Sequence, residues 1–192
     1  MVMPAAPPIR PDPTHRYTVD EVLSWPPDGN RYEVVHGELL VTPGPALPHQ
    51  MALTRVLVSL GKYLERVGMP DALLTGPVDY FHGTDVYVQP DAVVVYPEEL
   101  SGSYRTMKRL RLAVEVISPS SARGDRLVKR AAYQQAGVET YWIVDHDRRV
   151  VEVWHPGDEL AEIVTKELVW RVRPEAPELR LDLPKLFAGL PG

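Results

Sequence analysis

The tightest constraint in this sequence is an acid set inside an apolar run. Leu112-Ala113-Val114-Glu115-Val116-Ile117 reads as a buried strand, with Glu115 in the middle of it. An unpaired charge in an apolar setting costs several kcal/mol, so a buried charge is paired or holds a metal. A second apolar run, Ala92-Val93-Val94-Val95-Tyr96, is headed by Pro90-Asp91. Side chains alternate across a strand, so Ala113, Glu115 and Ile117 share one face. If the two runs lie side by side in register, Asp91 and Glu115 meet at one end of a sheet. Ser118-Pro119-Ser120-Ser121 breaks the second strand, and a helical segment from Asp125 to Ala136, closed by Gly137, brings Lys129 back toward it. Two acids on adjacent strands with a nearby lysine suit a hard divalent cation. Mg²⁺ is commonly held by one or two carboxylates together with water and substrate phosphate. Taken singly, each residue has a plainer reading: a Pro-Asp strand start, an ion pair with a local arginine, and a surface lysine on a helix. The three together are far more specific.

The remaining chain reads as support. A length of 192 residues suits one domain, and 44% hydrophobic residues indicate a globular chain. There is no cysteine, which excludes disulfides and thiolate metal sites. No apolar run approaches the roughly 20 residues needed to span a membrane, and the N-terminus lacks the pattern of a signal peptide. The expectation is a cytoplasmic protein. Residues 1–16, with five prolines, read as a flexible tail, and residues 17–192 as the single domain. Thr18 and Glu21 form a capping-box pattern ahead of a short helix. Arg31 to Val35 and Glu38 to Val41 read as a hairpin turning at His36-Gly37. Leu53, Val56, Leu57, Leu60 and Leu64 recur at helical spacing within a long helix over Leu47 to Val67. Short strands follow near 72–75, 78–81 and 86–88. After the central helix come strands at 139–145 and 150–154, then weaker ones near 160–164 and 168–172, and a final helical turn at 184–187. The polar loop 97–108 is expected to cover the site.

The net charge of −5 argues against a generally basic nucleic-acid binder. Between Arg105 and Arg130, however, eight basic residues face only Glu115 and Asp125. A positive field beside an acidic centre suits a phosphate-bearing substrate. Arg105, Lys108, Arg123 and Arg126 are the expected nucleic-acid contacts, although a solvated loop and helix face would look much the same.

Pro90-Asp91 followed by Glu115-Val116-Ile117 is similar to the Pro-Asp…Glu-x-Lys signature of restriction-endonuclease-like nucleases. More closely, Val114 to Ser120, then Asp125, Lys129, Tyr133, Gly137-Val138 and Tyr141 to Asp145, resembles the Uma-two family of endonucleases. Arg31-Tyr32-Glu33, Gly37-Glu38-Leu39 and Pro48-His49-Gln50 extend the match. The resemblance implies an α/β fold of mixed α+β type: a mixed central sheet flanked by helices, in helix–three strands–helix–strand order, with extra antiparallel strands. It implies Mg²⁺ or Mn²⁺ held by Asp91 and Glu115, with the Val116 carbonyl as a third ligand. Ile117 stands where the general signature carries lysine, and in the Uma-type pattern Lys129 takes that role. Glu38 would supply a further acid, with His49 and Tyr133 in support. The implied activity is metal-dependent DNA cleavage, and a homodimer is the implied assembly. Two other readings stay open: a nucleic-acid-binding or regulatory protein on the same fold without cleavage, and a structural protein whose acids form ion pairs.

Overall fold

The protein is described by a computed structural model over residues 12–119 and 121–191. Residues 1–11 of the expected tail, and Ser120 of the Ser-Pro-Ser motif, lie outside the described residues. Residues 12–16 form a turn tied to the domain. Asp12 N–H donates to the Tyr17 hydroxyl at 2.9 Å, and Tyr17 N–H donates to the Gly37 carbonyl at 3.1 Å.

Helix α1 (Val19–Leu23) starts with the expected capping box between Thr18 and Glu21. Strands β1 (Arg31–Val35) and β2 (Glu38–Thr42) pair in register across His36 and Gly37, both at positive φ (49° and 82°). A two-residue turn of this hand matches the twist of the flanking strands, and glycine takes its second position without steric cost. Helix α2 (Leu47–Arg66) is followed by β3 (Leu73–Thr75), β4 (Tyr80–His82), β5 (Val86–Val88), β6 (Ala92–Val95) and β7 (Leu110–Ile117). A π-helical stretch, Gly124–Lys129, leads into α3 (Arg130–Gln135). Then come β8 (Tyr141–Asp145), β9 (Val150–Trp154), β10 (Glu162–Val164), β11 (Glu167–Trp170), β12 (Leu179–Asp182) and α4 (Leu183–Leu186). Among the described residues no helix is long and apolar enough to cross a membrane.

The main sheet has the order β10-β9-β8-β7-β6-β3, and only β7 and β8 run parallel. A parallel neighbour needs a long crossover, which the π-helical stretch and α3 supply. Helix α2, strands β3, β6 and β7, the crossover helix and β8 thus follow the expected order of a mixed central sheet flanked by helices. One face packs Val94, Leu112, Val114, Val116 and Trp142 against Val56, Leu60 and Leu64 of α2 and against Leu181, Leu183 and Phe187 near the C-terminus. The other face packs Val93, Ala113, Ile117 and Ile143 against Ala132 and Tyr133 of α3 and Val35 of β1. Burial on both sides explains why β6 to β8 read as nearly continuous apolar runs. A second antiparallel sheet, β2-β1-β5-β4, buries Tyr32, Val34 and Tyr87 against α1.

The structure also differs from the sequence reading at loop 97–108 and at β12. The polar loop 97–108 forms two short 3₁₀ turns at the start of β7, whereas the acids lie at its end. At about 3.3 Å per residue, Leu110 and Glu115 stand roughly 16 Å apart along the strand, so this loop does not cover the site. Strand β12, which pairs with β11, is not among the expected strands: its alternation, Leu179-Arg180-Leu181-Asp182, runs for only four residues between Pro177 and Pro184.

Candidate active site

Ala92 pairs with Val114 across β6 and β7, so the residues just beyond, Asp91 and Glu115, come together at the end of the sheet. The Asp91 Oδ2 atom accepts from the Val116 N–H at 2.8 Å, which fixes Asp91 against β7. Glu115 points to the α3 side. Its Oε1 atom lies 3.0 Å from Lys129 Nζ and accepts from the Tyr133 hydroxyl at 3.2 Å. Asp91, Glu115 and Lys129 are 5%, 2% and 3% exposed. The three residues singled out from sequence therefore form one buried cluster, and Tyr133 joins them.

Other residues complete it. Along β1, Arg31, Glu33 and Val35 share a face, and that face turns to the cluster. Arg31 Nη1 donates to Asp91 Oδ1 at 3.1 Å and to the Gln89 carbonyl at 2.6 Å. Glu33 Oε2 pairs with Lys129 Nζ at 2.7 Å, while its Oε1 accepts from the Gln89 N–H at 2.6 Å. Asp125, one π-turn before Lys129, pairs with it at 3.1 Å. His49, in the first turn of α2, is buried and places Nε2 3.1 Å from Asp91 Oδ2. Among the described residues its Nδ1 has no hydrogen-bond partner. Short π-helical stretches are frequent at functional sites, and this one delivers both Asp125 and Lys129.

Glu38 does not join the cluster. It is exposed at the start of β2 and pairs with Arg123 at 3.7 Å. Residues 33 and 38 lie on opposite sides of the hairpin turn, and the inward-facing acid is Glu33. The alternation Arg31, Glu33, Val35 was the available signal, since a charged pair shares a face with a buried valine.

The expected basic patch is divided. Arg105 lies over the Phe81 ring, and Lys108 donates its backbone N–H to Glu99, both at the far end of β7. Arg126 is bound to two buried acids at 2.6–2.7 Å, Asp145 of β8 and Glu152 of β9. It therefore anchors the π-helical stretch, and Arg123 is the one expected contact left beside the site. Arg126→Ala should cost about 2–3 kcal/mol, since it strips a charged partner from two buried carboxylates. The salt dependence of nucleic-acid binding should stay as it is. Chemical denaturation and binding titrations at several salt concentrations check both expectations.

The electrostatics follow from this crowding. Burial pushes the Glu115 carboxyl well above the usual range. Lys129 opposes that shift, while Asp125, Asp91 and Glu33 add to it. Burial also works against the Lys129 charge, but Asp125, Glu115 and Glu33 outweigh it and hold the ammonium well above its ordinary pKa. Asp91 is likewise opposed by burial, yet the His49 hydrogen bond and the Arg31 charge keep it below the usual range.

A hard divalent cation fits this donor set. Four carboxylates, Glu33, Asp91, Glu115 and Asp125, face two cationic side chains, Arg31 and Lys129, leaving two formal negative charges in a buried pocket. Among the described residues no three histidine or carboxylate side chains enclose a metal by themselves.

The profile of the Uma2 family, described as "Putative restriction endonuclease", matches residues 19–184. The chain belongs to the Uma-two family. One solved structure, described as "a putative nuclease belonging to DUF820 from Anabaena variabilis", is 20% identical. It covers 91% of this chain and 99% of that chain at a TM-score of 0.74. That likeness establishes the fold. No curated protein matches the sequence. The Uma-two match takes in the cluster from Arg31 to Tyr133 in full.

Proposed function

We propose that this Uma-two protein is a metal-dependent endonuclease that hydrolyses phosphodiester bonds, with DNA as substrate. The observation that carries the reading is the meeting of Asp91, Glu115 and Lys129 at the end of β6 and β7, with Lys129 Nζ 3.0 Å from Glu115. Asp91, Glu115 and the Val116 carbonyl would hold Mg²⁺ or Mn²⁺. When bound, such a cation polarises the phosphoryl group and lowers the pKa of a bound water.

The protein's own groups do the rest. Arg31, His49 and the Val116 N–H fix the Asp91 carboxylate in one orientation. Tyr133 and Lys129 do the same for Glu115. Lys129 brings a permanent positive charge to the point where the attacking water and the phosphate oxygens meet, and there it stabilises developing negative charge. Glu33 and Asp125 keep that lysine charged and hold it in place. Its position on the crossover helix also accounts for Ile117 in the signature position: Ile117 faces the same side as Glu115 but packs into the core.

The test is cleavage of supercoiled plasmid and labelled oligonucleotides with Mg²⁺ or Mn²⁺. The wild-type protein should cut only with a divalent ion, and Asp91→Asn should not cut. Wild-type protein that binds Mn²⁺ and nucleic acid yet cuts nothing would favour a binding protein on the nuclease fold.

A further inference from the structure

The catalytic pocket, about 310 Å³, lies between two larger clefts. One, about 610 Å³, runs along β2 between the turn at 12–17 and residues 121–124, and shares Thr42, Ser121, Asp125 and Lys129 with the pocket. The other, about 520 Å³, extends from Arg31 and Asp91 past the Thr42–Pro45 segment toward Gly76 and Pro77. The three spaces adjoin along shared residues, with Thr42 lining all three and Asp91, Glu115 and Lys129 lining the smallest.

We propose that this groove takes an unpaired nucleic-acid strand, which crosses the catalytic centre with Arg16 and Arg123 on one flank and Gln50 on the other. The inference rests on the nuclease reading and specifies its substrate class. Its first support is depth. Asp91, Glu115 and Lys129 are 5% exposed or less, so a reacting phosphate has to descend into the pocket. In a duplex, pairing and stacking hold the backbone to a stiff helical path, and bending it locally so that one phosphate enters a recess costs a few kcal/mol. An unpaired strand bends inward without that cost.

The second support is the difference between the two arms. The arm along β2 carries Arg16 and Arg123 beside the carboxylates of Asp12 and Glu38, and the two arginines are its groups for an anion. Arg123 is 79% exposed, and its contact with Glu38 is a loose 3.7 Å, so little holds it back from a phosphate. The Arg16 guanidinium lies over Gly37, where an added Cβ would come within 2.8 Å of Nε. Gly37 thus leaves the space in which Arg16 lies along the cleft wall. Away from Arg31 and Asp91, the other arm is lined by uncharged groups: proline and glycine surfaces with the amides of Gln50 and Gln89. Phosphates suit the first arm. Bases, with their flat faces and hydrogen-bonding edges, suit the second.

Three labelled substrates of one sequence decide the matter: a single strand, a blunt duplex, and a duplex with an unpaired tail. With Mg²⁺ or Mn²⁺, the single strand should be cut at least about tenfold faster than the blunt duplex, and the tailed duplex within its tail. Equal or faster cutting of the blunt duplex overturns the inference. In EDTA, the Arg16→Ala, Arg123→Ala double variant should bind the single strand about tenfold more weakly. Its log–log salt slope should be shallower by about 1.4, two phosphate contacts at ~0.7 each. Both arginines are exposed, so the variant should fold, and an unchanged melting temperature checks this. Unchanged affinity and slope also overturn the inference. If no substrate is cut but the single strand is preferred and that preference falls in the double variant, the groove assignment stands and the cleavage reading fails.

Discussion

Lys129→Met is expected to abolish cleavage and to destabilise the metal-free protein. Removing one charge-stabilising donor commonly lowers a rate by about 10²–10³. The effect on stability is unusual for a lysine and comes from its surroundings: Glu33, Glu115 and Asp125 all lie within 3.1 Å of Nζ, with side chains no more than 3% exposed. Breaking a buried ion pair from one side costs about 3–5 kcal/mol, because the partner charge is left uncompensated. The loss should depend on pH. The Glu115 carboxyl already titrates well above its ordinary range through burial, with Lys129 pulling it down. A carboxyl whose folded pKa is raised stabilises the fold in full below its unfolded pKa, and that contribution is lost as pH rises through the folded value. Without Lys129 the value rises further. Lys129→Met should therefore be closer to wild type in melting temperature at pH 5 than at pH 8. Near-normal cleavage with an unchanged melting temperature at pH 8 would make Lys129 a bystander.

Glu115→Gln should remove divalent-ion binding and leave the fold intact. Losing a partner one shell out from a metal already costs 10–100-fold in affinity, so losing a carboxylate ligand should cost at least about 100-fold. The fold is spared because a carboxamide oxygen can still accept from Lys129 and Tyr133, and Glu33 and Asp125 continue to balance the lysine. One of the two surplus negative charges also disappears, so the metal-free variant should melt at or above the wild-type temperature. Calorimetric Mn²⁺ titration and thermal unfolding report the two effects separately. A large drop in melting temperature would show that Glu115 serves mainly as a structural ion-pair partner.

The parts of this site that could be read from sequence are those whose signal is local. Glu115 stood out because an apolar run surrounds it. Asp91 headed a second run, and the helix carrying Lys129 followed directly. Periodicity located α2 and the central strands for the same reason. Arg31 and Glu33 were harder: the face they share with Val35 is visible in the alternation, but they reach the cluster only through packing of the second sheet onto the α3 side, which that alternation does not specify. Glu38 was expected in the role that Glu33's position suits, through a one-turn ambiguity across the His36-Gly37 hairpin. The basic segment misled in a different way. Charge density along the chain does not distinguish an arginine facing solvent, such as Arg123, from one locked between buried acids, such as Arg126. Arg105 and Lys108, close to the site in sequence, stand at the other end of an eight-residue strand.

A crystal of the wild-type protein soaked in Mn²⁺, with anomalous scattering recorded at the manganese edge, tests the central claim most directly. The account predicts one strong peak in contact with both the Asp91 and Glu115 carboxylates, absent from Glu115→Gln crystals treated in the same way. No peak between those carboxylates at saturating Mn²⁺, with the Lys129 ammonium still paired to Glu33, Glu115 and Asp125, would contradict it and leave the cluster as a buried ion-pair network.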